Sequence, residues 1–192
     1  MSAFAVPDPS RAAWPLPPVT LVLGGARSGK SACAERLAMA AGRAVYLATG
    51  HAGDAEMAAR IAAHRARRGT GWSTLEEPLD LVEALAAALA PDRAVLVDCL
   101  TLWLANLMHA GRDATVETER LVAALARGTG PVVLVANEVG LGIVPDNALA
   151  RRFRDAAGLL NQKVAAAADR VVFVAAGLAL TLKDISITEP AA

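Results

Sequence analysis

Aromatic residues are scarce in this chain, with three Trp, three Phe and one Tyr among 192 residues. A base-stacking platform for single-stranded nucleic acid needs more of them. An excess of charge is missing too, because 19 basic residues balance 19 acidic ones. Without an overall positive field the chain has no general means of attracting a polyanion, so no nucleic-acid partner is expected. Cysteine is confined to Cys33 and Cys99, far apart and with no C-x-x-C or Cys/His cluster. A structural zinc site therefore lacks ligands, and the plain reading is a pair of free thiols in a reducing cytoplasm. No uninterrupted apolar run approaches the roughly 18 residues of a membrane span. Met1 to Pro18 contains Pro7, Pro9, Pro15, Pro17 and Pro18 but no charged start followed by an apolar run, so it does not read as a signal peptide. Lysine is rare as well: only three residues against sixteen Arg, which makes the place of each one informative.

What the chain does have is apolar mass. Hydrophobic residues make up 55% and charged residues 20%, the reverse of the disordered signature. At about 1.3 times a typical domain of roughly 150 residues, one compact domain is expected. It is placed at residues 19–183, behind a proline-rich leader over 1–18 and before a tail over 184–192. Continuous apolar runs predict buried strands at Val19–Leu23, Ala44–Ala48, Ala94–Val97 and Val132–Ala136. A shorter strand is expected at Trp72–Leu75, and two closing strands at Val171–Ala175 and Leu178–Leu182 around Gly177. Helical patterns occupy Lys30–Ala40, Glu56–Arg68, Pro78 to about Ala90, Leu100–His109, Thr115–Arg127 and Asn147–Ala168. Such alternation indicates an α/β fold with a mostly parallel sheet, helices on both faces and a C-terminal antiparallel hairpin.

The first strand runs into Gly24-Gly25-Ala26-Arg27-Ser28-Gly29-Lys30-Ser31, which fits G-x-x-x-x-G-K-[ST]. The motif follows a strand and opens a helix, the context that gives it meaning in a P-loop NTPase. Glycines let backbone N–H groups curl around phosphate oxygens, and the helix N-terminus adds positive potential. Lys30 is expected to reach the β- and γ-phosphates, and the Ser31 hydroxyl to ligate Mg²⁺. One of three lysines occupies the position where the loop needs it. An acidic residue at the end of a neighbouring strand usually completes the metal site. Asp98, closing Ala94–Val97, fits that role; the alternative is an Asp capping the next helix.

The loop alone does not choose a reaction. A guanine-reading Asn-Lys-x-Asp is absent where a regulatory GTPase needs it, since the strand ends Asn137-Glu138-Val139-Gly140. Arg65, Arg67 and Arg68 lie on a helix, but no late arginine-rich lid of a nucleoside monophosphate kinase follows. Of the three histidines, His109 reads as a surface residue. His51 follows Thr49-Gly50 at the mouth of the second strand, where ligands of open sheets gather. His64 shares a helix face with Arg60, Arg67 and Arg68. A neutral imidazole among guanidinium groups suits nucleophilic attack on phosphorus. The same pattern also describes a solvated basic helix with an incidental histidine.

These residues resemble the bifunctional adenosylcobinamide kinase / adenosylcobinamide-phosphate guanylyltransferase family. The likeness is carried by the loop Gly24–Ser31, by Tyr46-Leu47-Ala48-Thr49, and by Glu56-Met57-Ala58-Ala59-Arg60-Ile61 leading to His64-Arg65. It continues through Trp72-Ser73-Thr74-Leu75-Glu76-Glu77, Asn137–Pro145, Arg151–Asp155 and Gly158–Gln162, covering roughly 19–183. The resemblance implies a RecA-like sheet and a homotrimeric assembly. It implies phosphorylation of adenosylcobinamide by ATP or GTP, then transfer of GMP from GTP to the resulting phosphate, releasing pyrophosphate. The transfer passes through a GMP–histidine intermediate in the family, and the matching residue is His64. Nucleotide contacts carry over to Gly25, Ala26, Arg27, Ser28, Gly29, Lys30, Ser31 and Ala32. They also carry over to Thr49, Gly50 and His51, to Arg65, Ala66, Arg67 and Arg68, and to Glu76 and Asp98, with Mg²⁺ on Ser31 and Asp98. His51 departs from the Gln of relatives and Asp98 from the Glu of some; both keep polar or metal-binding capacity.

Overall fold

A computed structural model describes residues 16–50, 69 and 71–185. The helix expected at Glu56–Arg68, with most of the leader and tail, lies outside the described residues. Seven strands form one sheet: β1 (Val19–Gly24), β2 (Ala44–Ala48), β3 (Trp72–Glu76), β4 (Ala94–Asp98), β5 (Val132–Asn137), β6 (Arg170–Ala175) and β7 (Leu178–Asp184). Five described helices connect them: α1 (Lys30–Met39), α2 (Leu81–Ala88), α3 (Leu100–His109), α4 (Ala114–Arg127) and α5 (Ala148–Ala167). The strand order is β3-β2-β4-β5-β1-β6-β7. All pairs are parallel except the closing β6–β7 hairpin. This is an α/β fold with a mostly parallel sheet and the expected antiparallel hairpin at its end.

Alternation along each strand divides the core in two. Leu21, Leu23, Val45, Leu47, Val95, Val97, Leu134 and Val171 face one side, against Leu81, Leu85, Trp103, Leu104, Leu107, Leu121, Leu125 and Leu160 of α2–α5. Val22, Ala44, Tyr46, Ala94, Leu96, Val133, Val135, Val172 and Val174 face the other, against Cys33, Ala34 and Ala38 of α1. Helices therefore cover both faces, α1 on one and α2–α5 on the other.

Several boundaries differ from expectation by one to three residues, and two of them bear on the rim of the sheet. The second helix begins at Leu81, not Pro78, because the Glu77 carboxylate accepts from the N–H groups of Leu79 and Asp80, each at 2.9 Å. That turn holds Pro78–Asp80 outside the helix. Strand β4 extends through Asp98, whose residue pairs with Ala48 of β2, and Cys99 is the residue that precedes α3. Elsewhere the caps follow sequence rules: Asp113 accepts from Thr115 and Val116 at the start of α4, and Asn147 from Ala150 at the start of α5.

Candidate nucleotide site

β1 lies between β5 and β6, and the chain leaves it through α1 on one face while α5 crosses on the other. The carboxyl end of β1 is thus a switch point, where open α/β sheets hold ligands. The loop there is shaped by close approaches. A Cβ on Gly24 would stand 2.4 Å from the Val174 carbonyl oxygen, so only glycine fits. Gly29 precedes α1 with φ +96°, the left-handed region that glycine adopts without strain. The turn closes through Ser28 N–H to the Gly25 carbonyl at 3.3 Å. The β6–β7 turn buttresses it from behind, Gly177 N–H donating to the Ser28 carbonyl at 2.8 Å. Ser28 is buried, whereas Ala26, Arg27, Gly29 and Ala32 are exposed and Gly25, Lys30 and Ser31 half-buried. Lys30 Nζ donates to the Gly25 carbonyl at 3.2 Å, so the ammonium lies folded along the loop it serves. The other two lysines have structural partners: Lys163 pairs with Glu119, and Lys183 donates to the carbonyls of Ala165 and Ala166.

Asp98 stands two strands from β1, about 10 Å at ~4.8 Å per strand step. It caps no helix; its carboxylate accepts a hydrogen bond from the Tyr46 hydroxyl. Tyr46 is buried and packs edge-on against Trp72, with ring centroids 6.1 Å apart. Thr49 is fully buried, and its hydroxyl donates to the Cys99 carbonyl while accepting from Cys99 N–H. It ties the end of β2 to that of β4. Asn106 of α3 adds a clamp, its Nδ2 donating to the carbonyls of Thr49 and Pro78 at 2.8 and 3.0 Å. Gly50 follows, half-buried, and Glu76 is exposed at the end of β3, four strand steps (about 19 Å) from β1. The structure thus brings together the loop, Ser31 and Asp98, and sets Thr49, Gly50 and Glu76 along the same rim. His51, His64, Arg65, Ala66, Arg67 and Arg68 lie outside the described residues.

Neither cysteine offers a nucleophile. Burial raises the Cys99 thiol above its ordinary value, the adjacent Asp98 charge adds to this, and Lys30 opposes it. Burial raises Cys33 likewise, against the lowering effect of Arg36. Protonated, buried thiols are inert. Among the described residues no group of three or more His, Cys, Asp or Glu side chains could cage a metal. Ser31 in the first turn of α1 and Asp98 at the end of β4 are hard oxygen donors, a donor type that would suit Mg²⁺ held largely by phosphates and water. Sequence reasoning passed over Tyr46 and Asn106, which hold Asp98 and Thr49 in place. Their signal was slight: polar atoms inside an apolar strand and an apolar helix.

The profile of the cobinamide kinase / cobinamide phosphate guanyltransferase family matches residues 20–182. The bifunctional adenosylcobalamin biosynthesis protein CobP of Pseudomonas aeruginosa is 52% identical over 166 residues, spanning 85% of this chain and 96% of that protein. The bifunctional adenosylcobalamin biosynthesis protein CobU of Salmonella typhimurium is 45% identical over 178 residues, spanning 85% and 98%. In structure, the flagellar accessory protein FlaH of Methanocaldococcus jannaschii aligns with TM-score 0.52 at 13% identity, over 86% of this chain and 78% of that one. That likeness speaks for the fold alone.

Proposed function

The chain belongs to the cobinamide kinase / cobinamide phosphate guanyltransferase family, and from that premise we propose that one phosphate loop serves two successive reactions of cobalamin synthesis. In the first, the aminopropanol hydroxyl of adenosylcobinamide attacks the γ-phosphorus of ATP or GTP, and the nucleoside diphosphate leaves. In the second, a His64 ring nitrogen attacks the α-phosphorus of GTP and pyrophosphate leaves. The phosphate of adenosylcobinamide phosphate then displaces His64, giving adenosyl-GDP-cobinamide. The observation that carries this reading is the loop itself, built at the switch point with Asp98 two strands away on the same rim.

Each residue has a defined task. Backbone N–H groups of Gly25–Ala32 bind phosphate oxygens, and Lys30 leaves the Gly25 carbonyl to meet the developing charge. Ser31 and Asp98 would hold Mg²⁺, which would supply charge neutralisation. Tyr46 keeps the Asp98 carboxylate in place. Thr49, held by Cys99 and Asn106, shapes the rim on which Gly50 stands, and His51 is a nucleotide contact by family resemblance. Arg65, Ala66, Arg67, Arg68 and Glu76 complete the nucleotide contacts by family resemblance. No described helix is long and apolar enough to cross a membrane, and a cytoplasmic enzyme is part of the proposal. So is a homotrimer, supported by family resemblance and by the apolar edge strand β7, where Leu178, Leu180 and Leu182 are exposed.

Incubation with α-labelled GTP, followed by denaturation, tests the covalent step. Label is expected on the wild type, stable in alkali and released by acid, and absent from His64→Ala, which keeps most of its kinase activity. A His64→Ala protein that still retains label contradicts the assignment.

A further inference from the structure

Asn137 ends β5, the strand between the loop strand β1 and the Asp98 strand β4. It pairs in register with Gly24, the first residue of the loop. Its parity matters: Val133 and Val135 face α1, while Val132, Leu134 and Ala136 face α2–α5. Asn137 therefore falls on the α1 face, as Asp98 does by the parity of Ala94 and Leu96. The backbone of Asn137 is fixed on both sides. Its N–H donates to Thr101 Oγ1 at 2.7 Å, and its carbonyl accepts from Asn161 Nδ2 at 3.2 Å. Its side-chain Oδ1 is buried yet has no hydrogen-bond partner among the described residues. An unmet buried acceptor is costly, so such a group calls for an explanation. Thr20 Oγ1 is also unmet, but it lies in the body of β1, four residues before the loop begins.

We propose that Asn137 is a catalytic residue of the phosphoryl-transfer step: its carboxamide accepts a hydrogen bond from the attacking hydroxyl and donates one to the terminal phosphate. The proposal rests on the functional reading above. A carboxamide suits this place because it offers an acceptor and a donor side by side, and a half-turn about its last bond exchanges them. It is neutral, so it does not repel the triphosphate as a carboxylate would. The hydroxyl oxygen forms its bond to the γ-phosphorus, the bond from that phosphorus to the bridging oxygen breaks, and the hydroxyl proton passes to solvent. Asn137 orients the hydroxyl and keeps its own protons throughout. Guanylyl transfer reacts at the α-phosphorus with a histidine nucleophile, so it does not need this contact.

Asn137→Ala and Asn137→Asp test the assignment beside the wild type. Four quantities are measured: kcat and KM for adenosylcobinamide phosphorylation, the yield of GMP adduct from α-labelled GTP, and the melting temperature without nucleotide. For Asn137→Ala the expected result is a fall in kinase kcat of about 10²-fold, the scale for losing one transition-state hydrogen bond. KM for ATP and the adduct yield should stay near wild type. The melting temperature should hold or rise, because an unmet acceptor has been removed. Asn137→Asp should lose more kcat, by repulsion. An Asn137→Ala protein with wild-type kcat beside an active wild type overturns the proposal alone. Equal losses of kinase and adduct with a lowered melting temperature also overturn it, since they mark a structural role. A wild type that binds ATP yet never phosphorylates adenosylcobinamide overturns the functional reading, and this proposal with it.

Discussion

The two faces of the sheet are built from different residues. Against α2–α5 the sheet buries large side chains, among them Trp103, Leu81, Leu85, Leu104, Leu107 and Leu121, each at most 1% exposed. Against α1 the helix contributes only Cys33, Ala34 and Ala38 to the buried layer. Small residues let α1 approach the strands closely, and α1 is the helix that carries Lys30 and Ser31 at its start. Asp98, Asn137 and Tyr46 also belong to this face. One face is a foundation of large apolar groups, and the thinner one carries the polar groups at the strand ends and the loop. Large side chains at the head of α1 would push the loop away from Asp98.

If that contrast is real, damage to the two faces should read out differently. Trp103 is fully buried and donates from Nε1 to the Leu79 carbonyl at 2.9 Å. Trp103→Ala should cost about 3–5 kcal/mol in urea unfolding. The protein that remains folded should bind nucleotide as before. On the α1 face, Ala38→Leu should cost less, about 1–3 kcal/mol by overpacking. It should nevertheless weaken ATP binding, measured by titration calorimetry, because α1 and its loop are displaced together. Equal nucleotide affinity in both variants would break the comparison. The smallest effect concerns the thiols. With Cys33 and Cys99 buried and both raised in pKa, thiolate is scarce at pH 8. Modification by a disulfide reagent should be slow in the native protein and fast for both thiols in guanidinium.

Much of this was legible in the residues. The strands announce themselves as apolar runs bounded by glycine or polar residues, and the loop by Gly24, Gly29, Lys30 and Ser31. That Asp98 caps no helix was not legible, because its carboxylate is taken by Tyr46, 52 residues away in sequence. Nor was the role of Asn137: nothing local says that β5 lies between β1 and β4, and only that order puts its last residue beside the loop. Helix α2 started late because one carboxylate, Glu77, outweighed the preference of proline for a first turn. His64 was singled out by resemblance and by its arginine neighbours, and it lies outside the described residues.

The central claim is that one phosphate loop on the α1 face serves both reactions. Lys30→Ala tests it most directly, with adenosylcobinamide phosphorylation and GMP-adduct formation measured on the same preparation. Both rates are expected to fall together by about 10²-fold or more, since the same ammonium meets the charge that develops in each. Either reaction continuing at the wild-type rate would contradict the account and place the two reactions on separate nucleotide sites.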